Sequence, residues 1–377
     1  MRIIRFTLTP YECPMDPPWL AGEPRRGVIL TLEEEGGGRG FGESAPLGGF
    51  GLETLPSSIA ALRLASKYLL GMPRERYGDA VADLHRLAPV VASPCARYAI
   101  DLALHDLMAQ WAKKPIARLL DDLHAVDETP VNAALPRLPR EDLVAAALAA
   151  VGDGYRTLKL KVGGIPIEED VARVRSVRDA VGGGIRLRID ANRAWSEAAA
   201  VLALRALEDV GLEYCEEPVF DPEAMARVKK EVRVPIAADE SVLDLDTTKR
   251  LIECDAIDVL VLKPMAVGGL YPARAIATMA RDHGIDIVVT TMLETPIGRR
   301  GALHLAASLG PALYAHGLLT GCTPWSEPPM SKPPDPLERP GAGRVLRIGR
   351  DDQLTPGMEH WRVVRSDYED DIVQEEV

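Results

Sequence analysis

Charged side chains stand where apolar, strand-like runs end. They are Lys159 and Lys161 in TLKLK, Asp190 after IRLRI, Glu216 and Glu217 after EYC, Asp239 and Glu240 after IAA, and Lys263 after VLVL. Successive members are about 25 residues apart, one strand-plus-helix unit, which would set them on successive strands at one height. Singly, any of the carboxylates could cap the next helix or pair with an arginine. Five charged strand ends in sequence form a ring that a solvated face does not explain. Three converging carboxylates cannot all stay ionised without a cation between them. Hard oxygen donors with no Cys or His nearby select Mg²⁺, with Mn²⁺ as a substitute, over zinc. Asp190, Glu216 and Asp239 are the expected ligands.

Lys159 and Lys161 are two residues apart, so in a strand they share a face. Two ammonium groups side by side near a cation lower each other's pKa, and one can serve as a neutral base. An exposed edge-strand pair is the alternative for these lysines, and a closed barrel has no edge to offer it. Lys263, opposite the second strand of an eight-stranded barrel, would approach a substrate from the other face. Asn192 either supports Asp190 and a bound water or serves a turn. Glu240 either pairs with Lys263 or caps the next helix. Glu294, ending a seventh strand in TTMLETP, faces the site or caps a helix. His283, His304 and His316 lack ligand spacing and read as core or surface residues. Cys215 and Cys322 read as packing residues.

The elements that must position this ring follow a regular rhythm. From about residue 130, eight short apolar runs alternate with amphipathic helical segments: VNAALP, RTLKLKV, IRLRID, EYCEEPV, VPIAADES, AIDVLVLKP, IDIVVTTML and ALYAHGLL. Such alternation implies right-handed parallel crossovers, and eight of them fit a closed α/β barrel better than an open sheet. Ahead of it, RGVILTLEEEGGGRGFGE has the alternation and glycine break of a hairpin. SPCARYAIDLALHDLMAQW has helical spacing, with Ser93 and Pro94 at its start. The expected organisation is an α+β domain over residues 1–125, a barrel over 126–325, and a segment over 326–377 that returns to the first domain and ends in a frayed acidic tail.

Composition narrows the function classes. Lys plus Arg number 44 against 56 Asp plus Glu, a formal net charge of −12. That excess opposes nonspecific nucleic-acid or anionic-membrane binding. No uncharged apolar run is long enough to span a bilayer, and the N-terminus lacks the pattern of a secretory signal. The five cysteines are widely spaced and read as reduced thiols. A soluble cytoplasmic protein is the expectation, with a homo-oligomer compatible with it.

KLKVGG, DANRAW, EEPV, ADES, LKPMAVGGL and TTMLETPIGR, in this order and spacing, resemble the enolase superfamily, muconate lactonizing enzyme subgroup. The resemblance covers nearly the whole chain. It implies an N-terminal α+β capping domain and a modified (β/α)₇β barrel. It also implies Lys161 as the α-proton base tuned by Lys159, Mg²⁺ on Asp190, Glu216 and Asp239, and Lys263 on the opposite face, with an ene-diolate intermediate. GFGESAPLGGFGLET and HGLLTG resemble the cap loop and last barrel loop of the subgroup's o-succinylbenzoate synthases. In that loop, Thr320 and Gly321 would present backbone amides to a substrate carboxylate. Trp19, in a cap segment matching no assigned pattern, either closes over an aromatic substrate or packs. Dipeptide epimerases commonly carry an Asp-x-Asp pair near Thr320 to hold the substrate amine, and here Thr320-Gly321-Cys322 has none. Pro296 replaces the glycine usual after Glu-Thr and stiffens the seventh loop. The resemblance thus implies a Mg²⁺-dependent dehydratase of menaquinone biosynthesis. Its alternatives are an N-acylamino acid racemase or dipeptide epimerase and, remotely, a barrel that only binds acids.

Overall fold

The computed structural model describes residues 1–13, 15–16, 24–48, 50–51, 53–319, 321–322, 344–348 and 374–376. Strand β1 (Ile3–Cys13) pairs antiparallel with β2 (Arg25–Glu34), which continues through a glycine turn into β3 (Arg39–Ser44). Gly36 and Gly37 carry φ of 97° and 87° in that turn, the left-handed conformation a tight hairpin asks of glycine.

Two helices cover the sheet, α1 (Leu55–Leu69) and α2 (Pro94–Ala112). A Cβ on Gly42 would lie 1.8 Å from the Ala99 carbonyl oxygen, and one on Gly40 would lie 2.2 Å from that of Ala103. Glycine at both positions lets the α2 backbone rest directly on β3. Ser93 occupies the N-cap of α2 but makes no side-chain capping bond. Glu53 does this instead, accepting the Cys95 and Ala96 amides at 2.8 and 3.4 Å. A carboxylate suits the positive end of the helix, and it comes from outside the local sequence.

The second unit is a seven-stranded parallel sheet in sequence order. Its strands are β4 (Ala133–Leu135), β5 (Thr157–Lys161), β6 (Arg186–Asp190), β7 (Leu212–Glu216), β8 (Ile236–Ala238), β9 (Val259–Leu262) and β10 (Asp286–Val289). The eighth position is reduced to bridges. His316 joins Val131, and Gly317 joins Thr290, both parallel, so the sheet closes into an α/β TIM-like barrel with an N-terminal cap. Helices α3 (Arg140–Gly152), α4 (Ile167–Val181), α5 (Glu197–Arg205), α6 (Pro222–Glu231), α7 (Leu245–Glu253), α8 (Leu270–Asp282) and α9 (Pro296–Ser308) surround it. Pro296 sits in the first turn of α9, where a missing N–H costs nothing.

The lower lumen is plugged by Tyr214, Ala237, Val259, Val261 and Val288. Arg188 is buried beside them, with its guanidinium 4.8 Å from the Tyr214 ring and its Nε donating to Glu213 at 2.6 Å. This packing leaves the upper lumen as the place where polar groups can converge.

Cap and barrel share buried polar contacts. Glu43 on β3 accepts the Thr295 amide at 2.9 Å, the Thr295 hydroxyl at 2.5 Å and the Gly298 amide at 2.8 Å, and also the Tyr11 hydroxyl. The first turn of α9 is therefore capped by the other unit. Asp101 on α2 does the same for α8, accepting the Leu270 and Tyr271 amides at 2.8 and 3.2 Å.

The acidic C-terminus is not wholly frayed. Strand β11 (Gln374–Glu376) adds to the free edge of β1, in register Arg5↔Glu376. An open edge offers unpaired backbone groups, and this strand takes up part of them. Among the described residues no helix is long and apolar enough to cross a membrane.

Candidate active site

The parallel register sets Lys161, Asp190 and Glu216 side by side at the C-terminal ends of β5, β6 and β7. Asp239 lies just past β8, and Lys263 just past β9. All five expected members of the ring meet in the upper lumen. Asp190 and Glu216 are completely buried. Lys159 Nζ donates to Glu216 Oε1 at 2.5 Å and pairs with Asp190 Oδ2 at 2.8 Å. Lys161 Nζ reaches the same Asp190 oxygen at 2.6 Å and Asn192 Oδ1 at 2.6 Å. On the far side, Lys263 Nζ donates to Asp239 Oδ1.

The lysines and carboxylates of the ring shift one another's charge. Burial pulls the Lys159 ammonium down, but Asp190, Glu216 and Asp239 outweigh it and raise its pKa well above the ordinary value. These carboxylates favour the charged form of Lys159. Burial works against the Asp190 charge too, and Lys159 and Lys161 overcome it, holding that carboxyl well below the usual range. Glu216 goes the other way: burial, then Asp190, push it well above its ordinary value. The lysines neutralise part of the carboxylate charge, and Glu216 is left short of positive partners.

Among the described residues no three His, Cys, Asp or Glu side chains are gathered in a ready metal cluster; each ring carboxylate is engaged by a lysine. The donor set nevertheless suits a hard cation. Glu216 Oε2 is buried with no hydrogen-bond partner, and a third carboxylate in this lumen needs more positive charge to ionise.

The outer contacts differ in part from expectation. Asn192 does reach the ring, linking Lys161 to Glu240 Oε1 through its Nδ2 at 2.8 Å. Glu240 neither pairs with Lys263 at hydrogen-bond distance nor caps α7, whose N-cap is Asp244. Burial and then Asp239 raise the Glu240 pKa. Glu294 lies at the seam between units, completely buried beside Glu43, with neither carboxylate oxygen hydrogen-bonded to another group. Burial pushes it up to about 7, and Glu43 adds to the rise. The left-handed Leu293, at φ 65°, precedes it as the chain leaves β10 and turns toward α9. Gly321 belongs to a two-residue ladder with Asp16, which brings a cap segment to the exit of the last barrel position. Thr320 and Trp19 lie outside the described residues.

Phe50 is a site residue that the sequence reading did not name, and Glu217 is one that it placed at a strand end without a role. The Phe50 ring, from the cap loop, stands 4.3 Å from Lys263 Nζ. Glu217 is buried and joins neighbouring strand ends. The PLGGF composition signals a loop but not where its aromatic lands, and two adjacent glutamates do not reveal which faces the lumen. At the opposite, N-terminal end of the barrel a cavity of about 480 Å³ is lined by Lys229, Asp255, Asp258 and His283. Lys229 already pairs with both aspartates, so this end reads as stabilising structure.

Comparison with known proteins places the geometry in a lineage. Residues 9–121 match the mandelate racemase/muconate lactonizing enzyme N-terminal domain, and residues 142–337 match the enolase C-terminal domain-like family. A hydrophobic dipeptide epimerase of Enterococcus faecalis is 34% identical over 76% of this chain and 80% of its own. An o-succinylbenzoate synthase of Thermobifida fusca is 40% identical over 52% of this chain and 60% of its own. The crystal structure of the Enterococcus faecalis dipeptide epimerase, complexed with Mg and the dipeptide L-Leu-L-Tyr, superposes with a TM-score of 0.81 at 30% identity. It covers 94% of this chain and 99% of that one. The chain belongs to the enolase superfamily, in its muconate lactonizing enzyme subgroup.

Proposed function

We propose that this protein is a Mg²⁺-dependent racemase or epimerase that inverts the α-carbon of an N-acylated amino acid, a class that includes dipeptides. The observation that carries the reading is the pair of opposed lysines. Lys161 ends the second barrel strand and Lys263 follows the sixth, four positions round an eight-position barrel, and each is ion-paired to a different ring carboxylate. Moving a proton from one face of a carbon to the other needs one acid–base group per face. The similarity to dipeptide epimerases over three quarters of the chain supports the same choice.

Asp190, Glu216 and Asp239 would hold the cation. When bound, it supplies positive charge against a substrate carboxylate and so acidifies the neighbouring α-proton. Lys161 takes that proton on one face, Lys263 delivers one on the other, and the two exchange roles for the mirror substrate. Lys159 remains charged beneath Asp190 and Glu216 and keeps their geometry. Phe50 covers the Lys263 face and limits water there.

Dehydration by an o-succinylbenzoate synthase is the second reading. It is favoured by the 40% identical segment shared with the Thermobifida fusca enzyme. It is also favoured by the absence of an acidic residue in Thr320-Gly321-Cys322 to hold a free amine. Both reactions start with the same proton abstraction. The deciding experiment measures kcat/KM on one preparation for a dipeptide panel, N-succinyl amino acids and the cyclohexadiene precursor of o-succinylbenzoate. Inversion, with deuterium entering Cα from D₂O, is the expected winner. A dehydration kcat/KM about tenfold or more above every inversion, roughly 1.4 kcal/mol of transition-state binding, refutes the proposal.

A further inference from the structure

We infer that Glu217 is a positioning residue that sets the spacing of the three carboxylates proposed to hold the cation. It is completely buried, yet its side chain makes no bond to the lysines. Instead its carboxylate ties together the loops on either side of β7. Oε2 accepts the Asp239 amide at 2.7 Å, while Oε1 accepts Arg193 Nε at 2.9 Å and the Ser241 hydroxyl at 2.5 Å. Its backbone repeats the pattern, accepting the Arg193 amide at 2.8 Å and donating to the Ala237 carbonyl at 2.8 Å. Arg193 follows Asp190 by three residues, and Ser241 follows Asp239 by two. One side chain therefore spans all three ligand-bearing strand ends.

The backbone shows what this holds in place. Asn192, Arg193 and Glu217 have φ of 42°, 64° and 42°, left-handed values that non-glycine residues adopt only when their surroundings impose them. Arg193 is fixed further by its Nη2 on the Ser241 hydroxyl at 3.2 Å and by the Phe220 ring at 4.7 Å from its guanidinium. A glutamine has the same size but only one acceptor oxygen, so it cannot receive all three donors. Groups that orient metal ligands from behind commonly govern affinity as strongly as some ligands do.

This inference rests on the metal assignment above, and the test keeps the two apart. Mg²⁺ alone is titrated calorimetrically into the wild-type chain and into Glu217→Gln, Ser241→Ala and Arg193→Ala, with circular dichroism and thermal melts of the metal-free proteins. The expected result is a Kd raised about 10- to 100-fold in Glu217→Gln, with smaller rises in the two single-donor variants. A purely structural role would lower the unfolding temperature and leave the Kd of the folded protein unchanged. A folded Glu217→Gln within about twofold of wild type overturns the inference. Should that variant fail to fold, unchanged Kd in both Ser241→Ala and Arg193→Ala overturns it equally. No Mg²⁺ binding by the wild type removes the metal assignment and the inference with it.

Discussion

Asp239 and Asp190 are chemically alike but held differently, and the difference governs what each substitution should do. Asp190 is gripped by two lysines, whereas Asp239 has Lys263 alone. Asp239→Asn therefore leaves the Lys159–Lys161 side undisturbed and removes one ligand charge. Mg²⁺ affinity should fall by about tenfold or more, as calorimetry would show. The two proposed acid–base lysines should fail asymmetrically. Lys161→Ala and Lys263→Ala should each lose about 10²–10⁴-fold in inversion. Each variant should still exchange the α-proton of one antipode in D₂O, and a different antipode in the two cases. Proton NMR of single enantiomers reads this directly, and loss of the same antipode in both variants would contradict opposed faces.

Elements in this molecule are joined through groups borrowed from distant segments. The first turn of α9 has Thr295 as its N-cap, yet Glu43 receives its Thr295 and Gly298 amides. Glu43→Ala leaves those donors buried without their acceptor, which costs about 3 kcal/mol or more. A denaturant titration should show that loss, with Glu43→Gln milder because it keeps one acceptor. The β11 edge strand makes a separate prediction. Removing residues 372–377 uncovers the β1 edge, and the expected outcome is a lower melting temperature with self-association visible by light scattering. A truncated chain that melts like the intact one and stays dispersed would show that β11 contributes nothing.

Several buried glutamates have raised pKa, and Glu294 and Glu217 show how such groups shape the pH response of the whole molecule. Burial lifts Glu294 from 4.5 to about 7; burial and then Glu240 lift Glu217 likewise. Between those values the folded chain binds protons that the unfolded chain has released. Stability is fully present below about pH 4.5 and declines as pH rises through 7, with respect to these two groups. Glu294→Gln removes one share. Its stability relative to wild type should be greater at pH 8 than at pH 5 by about 2 kcal/mol or more, measured by urea unfolding. A pH-independent difference would show that Glu294 has another partner when folded.

Local pattern carried much of this protein. The strand–helix rhythm after residue 130 and the charged strand ends are short-range features, and a parallel barrel has little choice but to bring equivalent strand ends to one rim. Lys159, Lys161, Asp190, Glu216, Asp239 and Lys263 were legible for that reason. What the sequence left open depends on neighbours distant along the chain. Ser93 has the right type for a cap, but Glu53 brings a full charge to the same amides. Lys159 next to Lys161 marks a shared strand face, but the carboxylates that Lys159 pairs with come from the next two strands. Glu294 ends a strand as a site residue would, but Leu293 precedes it in a left-handed turn and the cap encloses it. Periodicity places a residue on an element; only the folded chain decides which partners, charges and water surround it there.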